Sequence, residues 1–215
     1  MSKQGSAGPV AQELLAGWLA ARSIARGLPL PVPDHGGLRV DTGSVDEVRR
    51  HVFAGPAPEI RALALSITAP RVFIKMCGHG KQLLDLVPAG WELQPGGYLM
   101  THDGGDDARL ALPAGYRLEL VTEGSTSVAR VFAANGELAA SGYAAEYDGT
   151  LVFDRIITED AHQRRGLGRA VMAALGSTQC SDAARRLLVA TDAGRALYST
   201  LGWTVVSPFS TVVMR

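Results

Sequence analysis

Gln163-Arg164-Arg165-Gly166-Leu167-Gly168-Arg169 is the stretch on which the reading of this chain turns. A strand-like apolar run, Leu151-Val152-Phe153-Asp154-Arg155-Ile156-Ile157, leads into it, and a helical run, Ala170-Val171-Met172-Ala173-Ala174-Leu175, leaves it. A strand, a turn rich in glycine and arginine and then a helix bring unpaired backbone N–H groups and the positive helix end to one point. Such a point holds phosphate. Gly166 and Gly168 lack the Cβ atoms that would keep a phosphate away from those N–H groups.

Length and charge bound what the phosphate belongs to. The 215 residues suffice for one generous domain or two small ones. A hydrophobic content of 47% with 20% charged residues is that of an ordinary globular chain. The formal net charge is +0, so no global field recruits nucleic acid or a membrane surface. The local cluster of Arg164, Arg165 and Arg169 suits a compact anion. Cys77 and Cys180 lie far apart, without CxxC spacing or paired histidines, so no zinc site is expected and both read as reduced thiols. The apolar run 10–25 is interrupted by Gln12, Glu13 and Arg22, which suits neither a signal peptide nor a membrane span. A cytoplasmic protein is the expectation.

Outward from the turn, the upstream texture is β. Residues 116–121 alternate polar and apolar; 127–134 and 138–147 follow, joined at Asn135-Gly136, and Asp148-Gly149 turns into 150–157. The chain thus delivers an antiparallel meander whose last strand runs into the glycine turn. Downstream, a helix from Gly166 to about Ser177 precedes a strand at Leu187-Leu188-Val189-Ala190, a helix over 193–201 and two closing strands, 203–206 and 211–214. Further upstream, Thr101-His102-Asp103-Gly104-Gly105-Asp106-Asp107 reads as a linker, its aspartates lacking the order of a calcium loop. Before it come a helix over 9–26, a short strand over 38–40 and a helix from the capping box Ser44-Val45-Asp46-Glu47 through Phe53. Next are a helix over 59–67, a strand over 71–76, a short helix over 81–87 and a turn-rich 91–100 with Trp91 and Tyr98 exposed.

Three phosphate-binding templates compete for the turn. No GxxxxGK[ST] string occurs, and the dinucleotide fingerprint GxGxxG needs a parallel βαβ unit that a meander does not supply. The third is the [RQ]-x-x-G-x-[GA] turn, matched by Gln163-x-x-Gly166-x-Gly168. Ala193-Gly194-Arg195-Ala196-Leu197-Tyr198-Ser199-Thr200-Leu201-Gly202-Trp203 further resembles a second signature, a helix carrying Leu-Tyr followed by a small-residue turn and an aromatic. In this order and topology, residues 116–215 resemble the GNAT superfamily of N-acetyltransferases. The resemblance implies an α+β fold, a GNAT-like mostly antiparallel sheet flanked by helices, in a catalytic domain over 108–215. Residues 1–102 stand before it as a smaller N-terminal α/β region.

The resemblance also implies roles. Acetyl-CoA is the expected co-substrate, its pyrophosphate held by the backbone N–H groups from Arg164 through Arg169, Leu167 included. Gln163, Arg164, Arg165 and Arg169 are candidates for side-chain contacts to its phosphates. Ile156, Ile157 and Thr158 would pair with the pantetheine arm and polarise the thioester carbonyl, and Asp192 stands at the mouth of the expected cleft. Tyr198 would protonate the departing thiolate, as a phenol with pKa near ~10 can. An acceptor amine of similar pKa must lose a proton before attack. Glu146 is the first candidate base, beside Asp154 and Glu159 or a base acting through ordered water. His162 reads as a surface residue, and Cys180 has no partner for a covalent acyl-enzyme, so direct transfer in a ternary complex is expected.

One departure stands out. A full GNAT domain carries two helices between its first two strands, and only Thr122-Glu123-Gly124-Ser125-Thr126 stands there in this chain. Residues 9–100 are expected either to replace that acceptor wall or to form a second, decayed GNAT-like half. The leading reading is an N-acetyltransferase acting on a primary amine of a small molecule or peptide, with no nucleic acid or membrane partner and a possible homodimer. Two other readings are a catalytically inactive acyl-CoA-binding sensor and a nucleotide-binding protein.

Overall fold

The computed structural model describes residues 10–103 and 112–214. Helix α1 spans Gln12–Ile24; strands β1 (Val32–Asp34), β2 (Gly37–Asp41) and β3 (Arg49–Phe53) follow. Helix α2 (Glu59–Ser66) leads to β4 (Val72–Cys77), α3 (Gly80–Leu86), β5 (Trp91–Leu93) and β6 (Gly97–His102). The meander is β7 (Tyr116–Glu123), β8 (Thr126–Ala133), β9 (Leu138–Tyr147) and β10 (Thr150–Thr158). A 3-10 turn, Asp160–His162, precedes α4 (Leu167–Gly176), β11 (Arg185–Ala190), α5 (Asp192–Ser199) and β12 (Thr204–Met214). The fold is α+β with a largely antiparallel sheet; β3/β4 and β10/β11 run parallel.

The chain divides into two compact units, one of Met1–Leu19, Leu28–His102 and Val189–Arg215, the other of Ala20–Gly27 and Asp103–Leu188. In the first, the strand order is β1-β2-β3-β4-β12-β6, with β5 also on β12. Its core gathers Phe53, Ile60, Leu63, Ile74, Met76 and Trp91. In the second, the order is β11-β10-β9-β8-β7, and α4 packs against β8, β9 and β10. Gly142 on β9 makes room for that packing: a Cβ there would stand 2.4 Å from Ile156 Cδ1 and 2.8 Å from Val171 Cγ1.

The meander follows its sequence pattern closely. Asp148 and Gly149 both have positive φ (45° and 67°) and form a two-residue turn between the paired Tyr147 and Thr150. The Asn135-Gly136 connection is wider, with Ala133 N donating to Glu137 O and a register shift in the ladder beside it. Glu123 pairs with Thr126 across Gly124-Ser125, so β7 and β8 form a tight hairpin with no helix between them.

Three local expectations are corrected. The capping box at Ser44 opens no helix: residues 49–53 are β3, paired in parallel with β4. Glu47 reaches Arg50 at 2.7 Å and Lys75 at 3.1 Å instead of capping. The closing strands 203–206 and 211–214 are one strand, β12. Pro208 is accommodated because its carbonyl side faces Gly78, beyond the end of the β4 ladder, where no N–H is required. Trp91 is buried in the core and Tyr98 half-buried, each on a strand rather than in an exposed turn. Of the expected linker, Gly104-Gly105-Asp106-Asp107 lies outside the described residues.

The element order β2-β3-α2-β4-α3-β5 in the first half is the order β9-β10-α4-β11-α5-β12 in the second, each with an antiparallel pair leading into a parallel crossover.

Candidate functional site

Strand β10 carries the approach to the turn. Its ladder with β11 covers only Thr150↔Arg185, Leu151↔Arg186 and Val152↔Leu187. Among the described residues, no β11 partner pairs with β10 from Phe153 to Thr158, which leaves that backbone edge open. On the other side the ladder with β9 slips between Asp154↔Tyr143 and Ile157↔Ser141, so Arg155 and Ile156 oppose the single residue Gly142. This is a β-bulge, with Arg155 at φ 52°. Beyond it Ile157 is 51% exposed.

The turn itself is bent by two residues of positive φ, Arg164 (63°) and Gly166 (77°). Gly166 is the N-cap of α4, and its left-handed conformation is the one glycine adopts without strain. The first helical hydrogen bond runs from Ala170 N to Gly166 O. The N–H groups of Leu167, Gly168 and Arg169 therefore have no acceptor among the described residues, and no side chain caps them. At Gly168 an added Cβ would stand 3.4 Å from Thr158 Oγ1, an ordinary contact; its lack of a side chain leaves the outer face of the turn open.

The side chains of the turn sort into two kinds. Gln163 braces the loop from within, donating to Asp160 Oδ1 at 2.7 Å and Thr158 O at 3.4 Å. Arg165 donates to Tyr116 Oη at 2.9 Å and to Ala161 O at 3.4 Å. Arg164 and Arg169 are exposed and have no hydrogen bond or ion pair among the described residues. These two guanidinium groups are the ones free to meet an anion.

His162 is not a surface residue. It is 9% exposed, and its Nδ1 lies 2.9 Å from Tyr116 Oη, so it anchors the tyrosine that in turn holds Arg165. A local reading of His162 could not find a partner on β7.

Asp154 is the other group that sequence reasoning placed only loosely. Arg26 grips it with two hydrogen bonds, at 2.6 and 3.0 Å, and Arg22 and Arg155 approach to 3.5 and 3.4 Å. Burial pushes the carboxyl up, but the Arg26 hydrogen bonds and the charges of Arg22, Arg26 and Arg155 outweigh it and hold Asp154 below its usual value. Glu159 is exposed just beyond β10, its N–H bonded to Ala139 O.

Glu146 does not join the turn. It pairs with Leu151 near the start of β10, the opposite end of the strand from Thr158. Its carboxylate accepts from Cys180 N at 2.6 Å and Ser181 N at 3.2 Å, so it fastens the segment after α4. Both carboxylate oxygens of Glu146 are thus engaged away from the turn, which speaks against its serving as the base.

Tyr198 and Asp192 belong to the first unit, on α5. Thr191 caps this helix, its hydroxyl accepting from Gly194 N at 3.2 Å. Tyr198 is 8% exposed, and burial pushes its phenol up to about 12. Its ring lies 6.0 Å from that of Trp203, and a Cβ on Gly194 would come within 3.2 Å of it. Asp192 accepts a hydrogen bond from the Tyr98 hydroxyl, which raises that phenol, and Arg195 stacks 4.1 Å above the Tyr98 ring.

The chain covers and is covered at 96% by a GCN5-related N-acetyltransferase from Kribbella flavida, with TM-score 0.67 and 16% identity. The fold is that of the GCN5-related N-acetyltransferases. A GCN5-related N-acetyltransferase-like protein from Streptococcus suis matches with TM-score 0.58 at 14% identity, 84% of each chain covered. A putative GNAT-family acetyltransferase from Novosphingobium aromaticivorans matches with TM-score 0.56 at 15% identity, over 93% of this chain and 96% of that one. The acetyltransferase fold thus extends over the chain as a whole and not only over residues 116–215. No protein-family model matches the sequence, and no curated protein matches it either. No helix among the described residues is long and apolar enough to cross a membrane.

Proposed function

We propose that this protein is an acyl-CoA N-acyltransferase that moves an acetyl group from acetyl-CoA to a primary amine by direct transfer. The observation that carries the reading is the turn before α4. Three backbone N–H groups without acceptors among the described residues, the left-handed Gly166 and the exposed Arg164 and Arg169 belong to one helix start, which supports a pyrophosphate ligand there. The open backbone edge of β10 adjoins that turn, and it suits the amide-bearing arm of a coenzyme A ester, which donates and accepts along an extended line. The residues present therefore fit the co-substrate. In this reading Leu167, Gly168 and Arg169 bind phosphate through backbone, Arg164 and Arg169 through guanidinium, and Gln163 and Arg165 hold the loop in shape. Ile156, Ile157 and Thr158 line the arm, and Asp192 stays a proposed contact.

The chemistry requires an amine nitrogen to bond to the thioester carbonyl carbon as the C–S bond breaks. The amine gives up a proton and the departing thiolate takes one. We assign the donation to Tyr198, whose phenol is protonated at neutral pH. With Glu146 committed elsewhere, a water-relayed base or Glu159 is the proposed route for the amine proton. The acceptor is a small-molecule or peptide amine, in a cytoplasmic protein that acts without nucleic acid or membrane, alone or as a homodimer.

That same commitment of Glu146 favours a second reading, an acyl-CoA-binding module without turnover. Thiol release from acetyl-CoA across a panel of amines separates the two. Release that falls in Tyr198→Phe supports the enzyme; tight coenzyme A binding with no release on any amine supports the sensor. A larger rise in Tm with ATP or NAD than with coenzyme A would overturn both.

A further inference from the structure

The bulge in β10 is not self-supporting. Arg155 takes a left-handed φ that a non-glycine residue holds only when its surroundings enforce it. The enforcement comes from the end of α1, within the same unit. Arg26 and Arg22 converge on Asp154, the residue just before the bulge. The Arg155 guanidinium donates to Ala25 O and lies 3.6 Å above the Tyr143 ring, and Thr126 Oγ1 reaches Ile24 O at 3.4 Å. Arg22 near the end of α1, and Ala25 O and Arg26 in the turn that follows it, are thus fastened to Asp154 and Arg155, where β10 departs from β9, while Ile24 O is held by Thr126 of β8. The side chain of Asp154 is only 10% exposed, so its charge is committed to this clamp and is not available to a substrate.

We propose that Asp154, gripped by Arg22 and Arg26, is a positioning residue of the acyl-CoA site. The clamp holds the bulge and so turns the backbone of Ile156, Ile157 and Thr158 outward for the co-substrate's arm. This rests on the acyl-CoA reading above. Residues 20–27 then serve the donor side of the site, a role distinct from any acceptor wall built by the rest of residues 9–100.

The test uses the full-length protein. Coenzyme A binding is measured by calorimetry on the unsubstituted protein, Arg26→Ala, Arg26→Lys and Asp154→Asn, together with amide hydrogen exchange in the absence of ligand. Losing a two-point guanidinium–carboxylate grip is expected to weaken coenzyme A binding about tenfold in Arg26→Ala and more in Asp154→Asn. Arg26→Lys, which keeps the charge, is expected to recover to within about threefold. Exchange should quicken at Ile156, Ile157 and Thr158 while Leu151 and Val152 stay protected. Arg26 is partly exposed, so Arg26→Ala carries the test if Asp154→Asn does not fold. Absence of binding to the unsubstituted protein overturns the acyl-CoA reading. Binding that is unchanged in Arg26→Ala, whether or not Tm falls, overturns the clamp alone.

Discussion

In the crossover β3–α2–β4 the parallel strands stay paired from Arg49↔Val72 to Phe53↔Met76, whereas in β10–α4–β11 they part after Val152↔Leu187. The helix starts differ in the same sense. Before α2 stands Gly55-Pro56-Ala57-Pro58; the N-cap is Pro58, and the N–H groups of Ile60 and Arg61 already bond to Ala57 O and Pro58 O. The first turn of α2 carries Glu59, which would repel an anion. Around the start of α4 stand a left-handed glycine, the exposed Arg164 and Arg169, and three N–H groups without acceptors among the described residues. One topology, used twice, has a closed and anion-hostile crossover in one place and an open, anion-ready one in the other. Fold alone therefore does not set how a helix start meets an anion; unpaired backbone and the charge beside it do.

The largest expected effect breaks the comparison on its closed side. His51, on β3, is 3% exposed, and burial pushes it down to about 4, with Asp34 opposing and Arg49, Arg39 and His35 assisting. A histidine held below its unfolded value near 6.5 leaves the unfolded chain to take up the proton first. The stability this group contributes is therefore complete above pH 6.5 and is lost as pH falls towards 4. Taken over that span the loss is about 3 kcal/mol. Urea titrations at a series of pH values should show the slope, and His51→Asn should flatten it; an unchanged slope would refute the assignment.

Next is the packing under the open crossover. Gly142→Ala puts a methyl group into Ile156 and Val171, and overpacking of this kind costs about 1–3 kcal/mol. A fall in Tm with a coincident loss of coenzyme A affinity is the outcome to look for. Gly166→Ala follows, with about 1–2 kcal/mol of left-handed strain; its coenzyme A affinity should drop while α4 persists by circular dichroism. Arg164→Ala and Arg169→Ala should each weaken coenzyme A by about fivefold, in a salt-dependent way. Arg165→Ala should do less, because its guanidinium is already engaged by Tyr116. The smallest effect sharpens the contrast: Pro58→Gly and Glu59→Gln at the closed crossover should leave coenzyme A binding unchanged.

Much of this was legible in the residues. The alternation in 116–121, the Asp148-Gly149 turn and the glycine turn are local signals, and the structure places strands β7, β9 and β10 and helix α4 within a residue or two of them. Ser44 to Phe53 was misread because Arg50 and His51 look like surface residues. They are 3% exposed on a strand buried on both faces, and are tolerated there through Glu47 and Asp34, contacts between side chains that a helical pattern does not register. The closing segments 203–206 and 211–214 read as two strands because the ladders that join them into one, on β6 and β4, belong to segments distant in sequence.

By itself, then, the sequence determined which segments form the meander and where the helix that follows it starts. Each of these depends on neighbours within a few residues, through φ preference and hydrophobic period. Tertiary structure alone decided which turn side chains are free. Arg164 and Arg169 differ from Arg165 in what folds against them, Tyr116 of β7 in the case of Arg165. It also decided that Glu146 serves the segment after α4, that His162 is buried under Tyr116, and that the end of α1 grips the β10 bulge. Those outcomes follow from pairings across many residues, where a charge's partner is chosen by the register of the sheet.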